Sequence, residues 1–101
     1  MLKVVYEQQK NRAAAYDDEK FVGESTYSKS DKIWIIDHTF VEKNYGGQGI
    51  ATKLVAELVN EARKNNVKII PLCPFAKKEF ESKKEYESIW EKWRSAEFMM
   101  K

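Results

Sequence analysis

"NYGGQGIATKL", Asn44 to Leu54, is the stretch on which the fold turns. The chain holds four glycines, and Gly46, Gly47 and Gly49 all fall inside it. Glycine reaches positive φ without strain and lets the main chain approach a ligand closely. The stretch therefore reads either as a tight turn between two elements or as a cradle for an anion. An isolated Gly-x-Gly is more often a turn, so the flanking sequence has to decide.

Upstream, the hydrophobic period is two. "LKVVYEQ", "RAAAYD", "FVGESTYS" and "KIWIIDHTFV" read as four strands, separated by polar clusters such as Gln9-Lys10-Asn11 and Asp17-Asp18-Glu19. In the fourth, simple alternation puts Ile33, Ile35, Asp37, Thr39 and Val41 on one face and Trp34, Ile36, His38 and Phe40 on the other. Both faces are largely apolar, which predicts a central strand covered on two sides.

Downstream, the period becomes helical. Ile50, Ala51, Leu54, Val55, Leu58, Val59 and Ala62 recur in pairs, with Lys53, Glu57, Glu61 and Lys64 on the remaining surface. Asn65-Asn66 supplies a stop. "VKII" is then a short strand ended by Pro71, and the tail from Pro74 is expected to be mostly helical, with Phe80, Tyr86, Ile89, Trp90 and Trp93 as its apolar stripe. The predicted class is α+β: a mixed, mostly antiparallel sheet of about five strands, a β-α-β crossover after the glycine turn, and C-terminal helices.

Composition narrows the function. The 101 residues are expected to form a single domain with one core. Eighteen basic against sixteen acidic residues leave +2, mixed along the chain, which gives no nucleic-acid footprint. No apolar run reaches membrane-span length and the N-terminus lacks a signal-peptide core, so a soluble, cytoplasmic protein is expected. The lone Cys73 excludes an intrachain disulfide, and no metal-binding spacing occurs. Nothing fixes the oligomeric state, for which a monomer is the default.

A helix begins with about four N–H groups that lack intrahelical partners, and its dipole adds positive character there. Glycines before such a helix can aim those groups at a pyrophosphate. A P-loop would need Gly-Lys-Ser/Thr, but Lys53 follows Thr52. A dinucleotide fingerprint counted from Gly47 ends on Thr52 instead of Gly or Ala.

"VEKNYGGQGIATKLVAELV" resembles instead the acetyl-coenzyme A signature of the GNAT-type N-acetyltransferases, Arg/Gln-x-x-Gly-x-Gly/Ala on a strand-turn-helix. It is most similar to short members carrying His-Thr-x-Val before the turn and Pro-x-Cys-Pro-Phe after the next strand, here His38-Thr39-Phe40-Val41 and Pro71-Leu72-Cys73-Pro74-Phe75. The resemblance covers nearly the whole chain. It implies that acetyl-coenzyme A is the co-substrate, with its pyrophosphate held at Gly46, Gly47, Gln48, Gly49, Ile50, Ala51 and Thr52 and its pantetheine arm along Thr39 to Val41. A main-chain amide of that strand would polarise the thioester carbonyl.

There are two departures from the family pattern. Gly46 stands where the signature has Arg or Gln, which predicts weakened binding. Larger members place a proton-donating tyrosine in Asn-x-x-Ala-x-x-x-Tyr, and the same spacing here gives Cys73, Ala76 and Phe80. Phenylalanine has no proton to give. Cys73 precedes Pro74, a residue favoured at the first position of a helix, and thiols at helix N-termini are the reactive ones. It is a candidate nucleophile or proton donor, against the alternative of a small buried residue packing the crossover.

His38, the one histidine, is the natural base for an incoming amine, although strand alternation favours a core position for it. Asp37 and Glu42 are weaker candidates. The expected function is acetyl transfer to an unidentified amine or protein acceptor. The alternatives are a coenzyme A or acyl-coenzyme A binding module without turnover, and an interaction protein whose glycine turn is only a turn.

Overall fold

The computed structural model describes residues 1–92; Trp93 of the expected apolar stripe lies outside them. Strands β1 (Leu2–Glu7), β2 (Arg12–Asp17), β3 (Lys20–Ser30) and β4 (Ile33–Val41) run as an antiparallel meander. The chain then crosses through helix α1 (Ile50–Lys64) into β5 (Lys68–Pro71), which lies parallel to β4, and continues into helix α2 (Pro74–Ser82). The sheet order is β1-β2-β3-β4-β5. Its mixed pairing and single crossover are those the periodicity predicts.

Helix α1 buries Ile50, Leu54, Val55, Leu58, Val59 and Ala62, six of the seven apolar positions read from the sequence, while Ala51 is half-buried beside the turn. They pack on a sheet face that includes Ala13, Ala15, Val22, Tyr27, Trp34 and Ile36. Ala13 and Ala15 are fully buried, and their small side chains let the helix settle close to β2. Ala76 and Phe80 of α2 join the same core, so both helices cover one face. The predicted stop is also observed. Asn66 is left-handed at φ 60°, with its N–H donating to Arg63 O at 3.2 Å and that of Val67 to Ala62 O at 3.0 Å. These are the two bonds of a Schellman motif.

The tail departs from the expected continuous helix. Lys83 is extended (φ −112°, ψ 107°), a 3-10 segment Lys84–Ile89 follows, and Trp90 bridges Ile69. The reason is visible at i+3 and i+4 from Phe80, where Lys83 and Lys84 offer no apolar group to seat another turn. Phe80, Tyr86 and Ile89 are buried as expected, but from two segments.

The second correction concerns β4. Its pairing with β3 passes from Thr26↔His38 to Tyr27↔Ile36, which leaves Asp37 as an extra residue. Such a bulge reverses the alternation beyond it. Trp34 and Ile36 face the helices, and so, past the bulge, do Thr39 and Val41. Asp37, His38 and Phe40 stand on the opposite face, where His38 has a side chain 56% exposed and Phe40 is 41% exposed. The strand is thus covered on one side, and His38 is not a core histidine. The bulge is held by its own side chain: Asp37 Oδ1 and Oδ2 accept from Thr26 Oγ1 at 2.7 Å and Ser28 Oγ at 2.8 Å.

That opposite face carries an ionic cross-brace. Arg12 sits between Glu7 Oε1, 2.7 Å from Nε, and Glu24 Oε1, 2.8 Å from Nη1, with its guanidinium 4.9 Å from the Phe21 ring centroid. The Tyr16 hydroxyl donates to Glu7 Oε2 at 2.6 Å. This bond foremost, with Arg12 adding to it against an opposing desolvation, holds the Glu7 carboxyl below its ordinary value of 4.5.

Two outcomes are expected. Leu58→Ala empties a fully buried site and should cost about 2–5 kcal/mol, read as a fall in the urea midpoint at unchanged slope. Because the folded pKa of Glu7 is lowered, its contribution to stability is complete above the ordinary carboxylate range and is lost as pH falls through the lowered value. Tyr16→Phe removes the largest cause, so the variant should lose less stability between neutral pH and about pH 3 than the wild type, a comparison that urea denaturation at both pH values makes.

Candidate active site

Gly47 (φ 80°) and Gly49 (φ 77°) are both left-handed, whereas Gly46 is extended (φ −66°, ψ 154°). A Cβ added at Gly47 or Gly49 would meet no atom within 4 Å. Backbone conformation, not crowding, therefore demands glycine at both, and the space above them is open. That space is a cavity of 180 Å³ bounded by the turn, the first residues of α1, Val41, Tyr45 and Phe75.

The chemistry of the cavity is set by the start of α1. Gly49 is the N-cap and has no side chain to satisfy the first N–H groups, and the first turn carries no acidic residue. Lys53 N–H bonds Gly49 O at 3.1 Å, while the amides before it face the helix end. Together with the dipole these form a receptor for a phosphate. The nearby carboxylate of Glu79 accepts from Thr52 Oγ1 at 3.4 Å. Its other oxygen lies 3.0 Å from Lys83 Nζ, a charge pairing without hydrogen-bond alignment. The negative charge closest to Thr52 is thereby offset.

Val41, Gly46, Gly47, Gly49, Ile50, Ala51 and Thr52, all assigned from the sequence, line this one cavity. Gln48 is not among its lining residues, and Thr39 lies further along β4. Tyr45 and Phe75 were not anticipated as walls. Their signals were present, since Tyr45 heads the glycine stretch and Phe75 closes the Cys-Pro-Phe motif. Tyr45 is anchored through its hydroxyl, which donates to Asp17 Oδ2 at 2.8 Å.

β4 runs on past its last pair with β5, Ile36↔Pro71, and leaves a gap along that edge that ends at Val41, a lining residue of the cavity. Leu72 N–H and Cys73 N–H both donate to Ile36 O, at 3.0 and 2.9 Å, and there the parallel pairing stops. Glu42 N–H bonds Val22 O at 2.8 Å. By antiparallel alternation, the amides of His38 and Phe40 then point to β3, and those of Thr39 and Val41 point away, toward the gap. Cys73 is buried as the N-cap of α2, with Pro74 following it, as the sequence predicts. Its Sγ is 3.5 Å from Thr39 Oγ1, which is 3.0 Å from Ser25 Oγ. Phe80 is buried against Tyr86, with ring centroids 4.9 Å apart.

His38 is next to Thr39 in the chain but on the other face of the sheet. Its Nε2 lies 3.6 Å from Glu24 Oε2, the oxygen of Glu24 that Arg12 leaves free. Cys73 and His38 therefore approach the same segment of β4 from opposite sides. Among the described residues no group of His, Cys, Asp and Glu side chains could hold a metal ion, and no helix is long and apolar enough to cross a membrane.

The comparisons with known proteins agree with this fold. The family model of the GCN5-related N-acetyl-transferases matches residues 12–89. The solution structure of a GCN5-like protein from Staphylococcus aureus is similar at 36% identity and a TM-score of 0.72, covering 92% of this chain and 91% of that one. The crystal structure of a ribosomal-protein-alanine N-acetyltransferase from Brucella melitensis has 22% identity and a TM-score of 0.55, covering 82% of this chain and 64% of that one, a likeness of fold. No curated protein matches the chain.

Proposed function

We propose that this chain, which belongs to the GCN5-related N-acetyltransferase family, binds acetyl-coenzyme A in the turn-and-gap site and transfers the acetyl group to an amine or protein acceptor, with residues 1–101 acting as one catalytic domain. The observation that carries this reading is the cavity over Gly47 and Gly49 at the uncapped start of α1. Backbone amides there suit the pyrophosphate, and they need no particular side chain to do so. The absence of an Arg or Gln side chain at Gly46 removes a contact without removing the cradle.

The edge of β4 fits the rest of the co-substrate. Amides and carbonyls of Thr39 and Val41 that face the gap can pair with the pantetheine arm as a strand would. A thioester carbonyl laid against such an amide has its developing negative charge stabilised as the amine attacks. The departing thiolate then needs a proton. Phe80 cannot supply it, and Cys73 has its Sγ 3.5 Å from Thr39 Oγ1 on that strand.

Cys73 serves this reaction in one of two ways, by protonating the thiolate or by taking the acetyl group itself before the amine does. Its contact with Thr39 Oγ1 at 3.5 Å holds the sulfur beside the strand edge, which suits the first role.

Calorimetry with coenzyme A should show binding to the wild type and weaker binding to Gly49→Ala, by about tenfold, because an L-residue in the left-handed region costs roughly 1–2 kcal/mol. Absence of any heat at millimolar ligand would sink the reading. Intact mass after incubation with acetyl-coenzyme A then separates the two roles of Cys73. An unmodified chain is expected, with Cys73→Ala slowing turnover; a gain of one acetyl mass that Cys73→Ala abolishes would establish the covalent route instead.

A further inference from the structure

On the face of the sheet away from α1, five titratable side chains converge beside the β4 bulge: Glu7 on β1, Arg12 and Tyr16 on β2, Glu24 on β3 and His38 on β4. Asp37 stands next to them. None belongs to the co-substrate site. They are partly buried except at one end: the side chains of Arg12, Glu24 and Glu7 are 16%, 22% and 24% exposed, against 56% for His38. The order of contacts is also directional. Both oxygens of Glu7 are used, by Arg12 and Tyr16, and one oxygen of Glu24 is used by Arg12. The remaining oxygen of Glu24 is turned to His38 Nε2.

We propose that Glu24, fixed by Arg12, is the positioning residue that makes His38 the proton acceptor for the incoming amine. The proposal rests on the transfer reading above and adds to it the side from which the acceptor arrives. A carboxylate facing Nε2 favours the tautomer with hydrogen on Nε2 and leaves the lone pair on Nδ1. It also stabilises the imidazolium once the proton has moved. A partly buried arginine clamp holds that carboxylate in place, which a lone surface glutamate would lack. Asp37, whose oxygens are engaged only by the hydroxyls of Thr26 and Ser28 among the described residues, leaves an unneutralised negative charge beside His38. Such a charge attracts an ammonium group, so the acceptor is a protonated primary amine.

The protons balance as follows. The ammonium gives one proton to His38 Nδ1, and its nitrogen lone pair forms the C–N bond at the thioester carbonyl carbon. As the C–S bond breaks, Cys73 gives its thiol proton to the departing thiolate and is restored, through solvent, by the second N–H proton that leaves the new amide nitrogen. His38 returns its proton to solvent. Glu24 and Arg12 exchange no proton.

The chain's single histidine makes the test direct, because its ring resonances need no assignment by mutation. In wild type the ring-nitrogen resonances should report hydrogen on Nε2 and a lone pair on Nδ1, and Glu24→Gln should weaken that preference. Transfer rates are then compared for two acceptors, the side chain of Nα-acetyl-lysine amide and hydroxylamine, which is largely unprotonated at neutral pH and has no ammonium proton to shed. Glu24→Gln should lower kcat for the lysine probe about tenfold or more and spare both the hydroxylamine rate and the KM for acetyl-coenzyme A. Glu24→Asp should recover part of the loss.

Equal losses with both acceptors, or ring-nitrogen resonances indifferent to Glu24→Gln, would overturn the positioning role. Wild-type turnover of hydroxylamine but not of the lysine probe would overturn the amine-accepting face. Failure with both acceptors would fall instead on the transfer reading beneath it.

Discussion

The carbonyl of Ile36 accepts two amides at once, from Leu72 and from Cys73, and that shared acceptor ends the parallel pairing of β4 with β5. One residue later, Asp37 is extruded as a bulge. The two events at successive positions give β4 a free edge and reverse its faces. Thr39 and Val41 come to line the gap on the side of the helices, while Asp37 and His38 come to the other side. Without the early end of β5 there would be no gap. Without the bulge, His38 would be buried under α1 and Thr39 could not meet Cys73.

The glycine turn shows how a helix can be started without being capped. Gly49 contributes no side-chain acceptor, which ordinarily leaves a helix weaker by roughly a few tenths of a kcal/mol than a serine or aspartate would. Helix α1 compensates at its other end with the Schellman bonds of Asn66 and Val67, and along its length with six buried side chains. The open end is thus held in place by packing elsewhere, and its amides stay available. The same division of labour holds in α2, where Pro74 sets the first turn and Ala76 and Phe80 anchor the body.

Whatever depended on a period or on a backbone requirement could be read from the sequence. Alternation and helical spacing gave the element order; the glycine cluster and Asn65-Asn66 marked the two turns, within which the structure puts positive φ at Gly47, Gly49 and Asn66. The bulge was hidden because "IWIIDHTFV" is apolar enough on both faces to satisfy either phase. Its one mark is the adjacent pair Asp37-His38, two polar residues in succession where alternation would bury one of them. Pairings between strands, such as Arg12 with Glu7 and Glu24, depend on register, which hairpin lengths alone did not fix. The break at Lys83 is legible in retrospect as a missing apolar anchor.

The connectivity of the sheet sets the order in which this site can come into being. β1 to β4 join through short reversals and pair by local contacts, whereas β5 reaches β4 only after the whole of α1 has been laid across the sheet. Closing that long segment is entropically the slow step of such a topology. The gap and the turn lie on either side of the same crossover, so neither exists in a half-folded chain. A ligand that bridges them recognises only the completed fold, and every molecule bound withdraws the chain from the unfolding equilibrium in proportion to its occupancy.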